Sequence, residues 1–209
     1  MNTRTLTLLV AAALIALPAA AQDLSFFITS VGSKDGANLG GLKGADGHCA
    51  DLAKAAGSSG KTWRAYLSAT EGGKVVHARD RIGSGPWYNA KGVMVAKNVD
   101  DLHSDNNKLS KDNSITEKGD VVNGRGDSPN MHDILTGSDL QGRAIQDGEN
   151  HTCSDWTSNG EGSAQVGHHD RQGGGANPTS WGSAHGSRGC SQANLEGTGG
   201  KGFYYCFAQ

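Results

Sequence analysis

Four cysteines, Cys49, Cys153, Cys190 and Cys206, constrain this chain more than any other feature. They follow an N-terminal stretch laid out like an export signal. Arg4 supplies a positive head, Leu6 to Leu17 an apolar run, and Ala19-Ala20-Ala21 a small-residue cleavage site before Gln22. The run is too short for the roughly 20 residues that span a bilayer. A cleaved signal, a secreted or periplasmic product and no membrane span are therefore expected. In an oxidising compartment an even cysteine count reads as two disulfides. Thiolate ligation of zinc is the competing use, but the chain has no C-x-x-C pair.

The staples answer a need that the composition creates. Glycine accounts for 32 residues and aromatics for only 6% of the chain. Long loops over a modest core are expected, and each ordered residue costs about 1–2 kcal/mol of backbone entropy. Each disulfide is expected to return about 2–4 kcal/mol. Residues 22–209 suit a single domain, and a monomer is expected. Without Arg4 the chain carries 18 Lys and Arg against 21 Asp and Glu, which argues against a nucleic-acid partner.

Local patterns place the elements. Leu24 to Val31 reads as a strand. Ala45 to Ala56 reads as a helix, with Asp46 as N-cap or first-turn acid, Cys49, Leu52, Ala53 and Ala56 on one stripe, and Gly57 ending it. Thr62 to Ala69 alternates like a strand, and Gly202 to Ala208 reads as a central one with Tyr204, Cys206 and Ala208 on one face. Ser104 to Asn130 and Asn159 to Gly189 read as long polar or glycine-rich excursions with little to give a core. The first spells Gly124-Arg125-Gly126-Asp127-Ser128-Pro129, a cell-attachment hexapeptide that turn chemistry explains equally well.

The order of these pieces resembles the endostatin domain of collagens, within the C-type-lectin-like fold. The resemblance rests on the Cys49 helix, TWRAYLS (Thr62–Ser68), ARDRIGSGPWYNAKG (Ala78–Gly92), LTGSDLQGR (Leu135–Arg143), CSDW (Cys153–Trp156), Cys190 and the final aromatic strand with Cys206. It covers roughly Gly41 to Ala208, interrupted by Ser104–Asn130 and by part of Asn159–Gly189. It implies an α+β domain: a twisted antiparallel sheet, one or two helices and long loops. It also implies nested disulfides, Cys49 with Cys206 and Cys153 with Cys190. The resemblance implies a binding module for an extracellular or envelope glycan or protein, with Arg64, Arg79, Arg81 and Arg143 as ligand-facing cations. The lectin calcium triplets are missing, and so are the family's N-terminal zinc histidines.

Trp63 and Trp156 are expected in the core. Trp87 and Trp181, in glycine-rich turns, are expected at the surface, free to stack on sugar rings. His168, Asp170 and His185 form the candidate metal set, suited to zinc or copper. On an extended chain, residues two apart share a face, which favours His168 with Asp170 over His168 with His169. No acyl-transfer, P-loop or dinucleotide fingerprint occurs, so no catalytic residues are assigned.

Overall fold

The computed structural model describes residues 24–209, so the signal-like stretch lies outside the described residues. Strand β10 (Gly200–Ala208) runs through the centre of the sheet. Its alternation sends Phe203, Tyr205 and Phe207 into one hydrophobic cluster and Tyr204, Cys206 and Ala208 into another. Phe207 and Tyr205 are fully buried. Burying an aromatic side chain of this size is worth about 1.5–3 kcal/mol, so this strand's register determines both faces.

Along one edge of β10, strand β1 (Phe26–Ile28) pairs antiparallel, Phe27 opposite Cys206. The other edge is shared. Strand β2 (Trp63–Ala65) pairs antiparallel with Cys206 to Ala208, while β7 (Asp133–Leu135) pairs parallel between Gly200 and Tyr204. Beyond β7 come β8 (Gln165–His168) and β9 (His185–Gly186), both antiparallel. The six-stranded sheet is therefore mixed, where a wholly antiparallel one was expected. Two small hairpins lie apart from it: β3 (Ala69–Glu71) with β4 (Lys74–Val76), and β5 (Trp87–Tyr88) with β6 (Met94–Ala96).

Helix α1 (Gly41–Ala55) starts four residues earlier than its stripe suggested. Asp46 is not its cap but an anchor. Its carboxylate accepts from Ala65 N at 2.9 Å, Arg64 Nη1 at 2.9 Å and Arg81 Nη2 at 2.8 Å, fastening α1 to β2 and to α2 (Ala78–Arg81). Two short helical segments complete an α+β domain, α3 (Val99–Leu102) against β6 and α5 (Gln192–Thr198) against β10. Between them α4 (Cys153–Trp156) is a single left-handed turn, with φ of 49, 56, 55 and 66°. Such residues cost about 1–2 kcal/mol each. The Trp156 indole donating to Ser68 O at 2.8 Å and Asp155 accepting from Thr70 N at 2.7 Å hold it in place.

The disulfides join Cys49 to Cys206, tying α1 to β10, and Cys153 to Cys190 across a separation of 37. The excursions are better packed than their composition suggested. Leu109, Ile115 and Val122 from the first, and Trp181 and Ala184 from the second, are buried. Among the described residues no helix is long and apolar enough to cross a membrane.

Candidate metal centre

Sheet register assembles the centre. Asp133 on β7 stands directly opposite His168 on β8, and His185 on β9 stands opposite Val166, two residues before His168. Directly paired residues share a face, as do residues two apart on one strand. Asp133, His168 and His185 therefore emerge side by side at the end of the sheet. His132, just ahead of β7, turns back so that its ring stacks on His168 with centroids 4.3 Å apart and planes 10° from parallel.

Three imidazole nitrogens converge on one carboxylate oxygen. Asp133 Oδ1 lies 3.1 Å from His132 Nε2, 3.3 Å from His168 Nε2 and 3.6 Å from His185 Nε2. His168 Nε2 and His185 Nε2 are 2.9 Å apart. Donor atoms of His132, Asp133 and His168 all fall within 4.8 Å of one another. The Asp133 side chain is 2% exposed, and both of its oxygens are buried without a hydrogen-bond partner. A buried carboxylate whose only close partners are imidazoles is charge-paired only when a ring takes a second proton or a cation enters.

The far side of each ring fixes its proton. His168 Nδ1 meets Pro178 O at 2.8 Å, His185 Nδ1 meets Gly186 O at 3.1 Å, and His132 Nδ1 meets Asp170 Oδ1 at 3.3 Å. Carbonyls only accept, so neutral His168 and His185 carry their protons on Nδ1 and turn bare Nε2 lone pairs toward Asp133. His132 lies between two carboxylates, its Nε2 3.1 Å from Asp133 and its Nδ1 3.3 Å from Asp170. The Nε2 atoms of His168 and His185 then face each other and the carboxylate with no proton of their own between them. A second proton on a ring relieves this, and so does a cation. Burial opposes charge on His168, yet Asp133 and the Pro178 carbonyl outweigh it and hold this imidazole's pKa above the ordinary 6.5. A divalent ion among His132, Asp133 and His168 would meet three donors, with His185 Nε2 beside them at 2.9 Å from His168 Nε2, and imidazoles with a carboxylate suit zinc or copper.

Asp170, expected among the ligands, stands one shell further out. Alternation along β8 stops at His168, and Arg171 takes a φ of 54°, so the same-face pairing does not extend. Its carboxylate instead receives His132 Nδ1, Arg125 N at 2.6 Å and Gln172 N at 3.1 Å. Burial would raise its pKa, but these donors outweigh burial and hold it well below the usual carboxylate range. A carboxylate behind a ligating histidine orients the ring and raises its basicity. His169 points away and meets Asn123 O at 3.1 Å.

Backbone closes over the rings. A Cβ on Gly173 would stand 2.3 Å from His168 Cε1, and one on Gly175 would stand 2.9 Å from His185 Cδ2, so neither position accepts a side chain without displacing a donor. The glycine-rich run thus serves as a tight cover rather than a loose tether.

The residues expected to meet a glycan are not brought together. Trp87 is fully buried and donates to Ala208 O, and Trp181 is 6% exposed against Tyr66, His103 and Tyr205, so neither indole face is open. Arg64 and Arg81 are committed to Asp46, and Arg79 to Asp100 and Gln141 O; Arg143 is exposed. In the attachment hexapeptide, Asp127 is paired with Lys111 at 2.5 Å and accepts from Gly124 N at 2.8 Å.

His132 and Asp133 were not found from the sequence. The available signal was the adjacent His132-Asp133 pair ahead of Ile134-Leu135-Thr136, a mirror of the adjacent His169-Asp170. No protein-family model matches this chain, and no curated protein matches it.

Proposed function

We propose that this is an exported, disulfide-stapled metal-binding domain on an endostatin or C-type-lectin-like body. The metal would be a zinc or copper ion held by His132, Asp133, His168 and His185. One observation carries the reading: a buried carboxylate without a hydrogen-bond partner faces three imidazole nitrogens, and two of those rings, His168 and His185, turn their Nδ1 protons to backbone carbonyls. In this reading Asp133 supplies charge neutralisation, the three rings supply borderline donors, and Asp170 orients His132. The nested disulfides and the order of the helix, TWRAYLS, GSD-x-x-GR and CSDW segments support the body assignment and an oxidising compartment.

Glycan or protein recognition through Arg64, Arg79, Arg81, Arg143, Trp87 and Trp181 lacks comparable support, because the indoles are covered and three of the guanidiniums are engaged. Elemental analysis of the mature, oxidised protein tests the proposal. One equivalent of zinc or copper is expected, and none in a His168→Ala variant that keeps both disulfides. Metal-free wild type that takes up no zinc or copper on dialysis would remove it.

A further inference from the structure

The four donors are not held alike. Asp133 lies inside the sheet, with β10 on one side and β8 on the other, and its own N–H donates to Gly199 O at 3.1 Å. His168 is fixed at two points, its amide to Ser180 O at 2.8 Å and its ring to Pro178 O at 2.8 Å, and its side chain is wholly buried. His132 is stacked on that ring and tied to Asp170, which two backbone amides hold in turn.

His185 differs in each respect. It sits on β9, the two-residue outer strand, and its side chain is 25% exposed. Its Nδ1 meets only the carbonyl of its own neighbour, Gly186. Gly175 packs closely against the ring on its inner side, but Gly186 follows it in the chain and Gly174, one residue further out, has open space where a Cβ would stand. Swinging this ring outward breaks one local hydrogen bond and its contacts at the centre. Moving the His168 ring breaks its bond to Pro178 O in the covering loop, moving His132 breaks its bond to Asp170, and the Asp133 side chain, 2% exposed, is enclosed within the sheet.

We infer that His185 is the exchange ligand of the centre. This rests on the metal-centre reading above. His132, Asp133 and His168 form a cup set by the fold, and His185 closes it last and opens it first. The position that it vacates faces solvent and takes an imidazole or thiolate donor from a metal-exchange partner. The step is a ligand substitution: the incoming lone pair bonds to the ion as the His185 Nε2 bond to it breaks, with no change of oxidation state. Closed four-ligand zinc sites serve structure, and sites that keep a fourth position open admit an outside ligand there. A centre with three buried donors and one mobile donor belongs with the second kind.

The test is zinc transfer from the loaded, oxidised protein to the chromophoric chelator 4-(2-pyridylazo)resorcinol, followed as a rate against chelator concentration. For wild type the rate is expected to rise in proportion to chelator. His185→Ala is expected to keep one equivalent of zinc and to release it on the order of tenfold faster, whereas His168→Ala holds none. His185→Gln, with melting compared under chelator, controls for misfolding and should release zinc at a similarly increased rate. A His185→Ala protein that folds but holds no zinc overturns the inference, and so does a release rate indifferent to chelator or to this substitution. Wild type that holds no zinc at all overturns the metal-centre reading itself, and the inference falls with it.

Discussion

The two ends of the sheet are fastened by different chemistry. At the β1–β10–β2 end, α1 is held by a covalent bond from Cys49 to Cys206 and by the Asp46 carboxylate, over side chains that are almost all apolar. At the β7–β8–β9 end, three short strands bring a carboxylate and three imidazoles together, beneath a cover of glycine backbone. The first end spends its binding capacity on itself and is complete. The second retains unsatisfied donors, which is how a site differs from a core.

Removing the covalent fastening should have the largest effect. The double variant Cys49→Ala/Cys206→Ala is expected to lose about 2–5 kcal/mol in urea unfolding. A loss below about 1 kcal/mol would mean that the first end does not depend on its bridge. At the second end, Asp170→Asn should leave the fold intact and weaken zinc affinity by roughly 10- to 100-fold, because His132 loses the carboxylate that orients it. Unchanged affinity in a competition titration would demote Asp170 to a loop anchor for Arg125. The smallest effect is on pH. Zinc needs a neutral His168, whose pKa lies above 6.5, so affinity should be flat in alkali. It should then fall roughly tenfold per pH unit for one displaced proton as pH drops through that value. The metal-free protein should respond in the opposite sense. A raised imidazole pKa contributes stability present below 6.5 and lost as pH rises through the folded value. Parallel melting curves with and without zinc, from about pH 8 to about pH 5.5, compare the two directly.

What could be read from the sequence was local. The cysteine count, the stripe carrying Cys49 and the alternation of Tyr204, Cys206 and Ala208 each lie within one element, and one element suffices to see them. The parallel pairing of β7 with β10 has no local signature. The centre was half visible. His168 and His185 attract attention in a glycine-rich stretch, but Asp133 joins them only because strand register sets it opposite His168, 35 positions away. Asp170 was misplaced because alternation was carried past the strand's last residue. Trp87 and Trp181 were misplaced for a related reason: glycine-rich turns here are pressed into the second hydrophobic cluster, where the indoles supply bulk that the backbone lacks.

Anomalous diffraction at the zinc edge, on crystals of the oxidised protein grown with zinc, tests the central claim most directly. The account predicts one peak bounded by His132 Nε2, Asp133 Oδ1, His168 Nε2 and His185 Nε2, with donors drawn in to about 2.0–2.2 Å. A density map with no peak there, or with zinc only at the exposed His151–Asp147 pair, would contradict it.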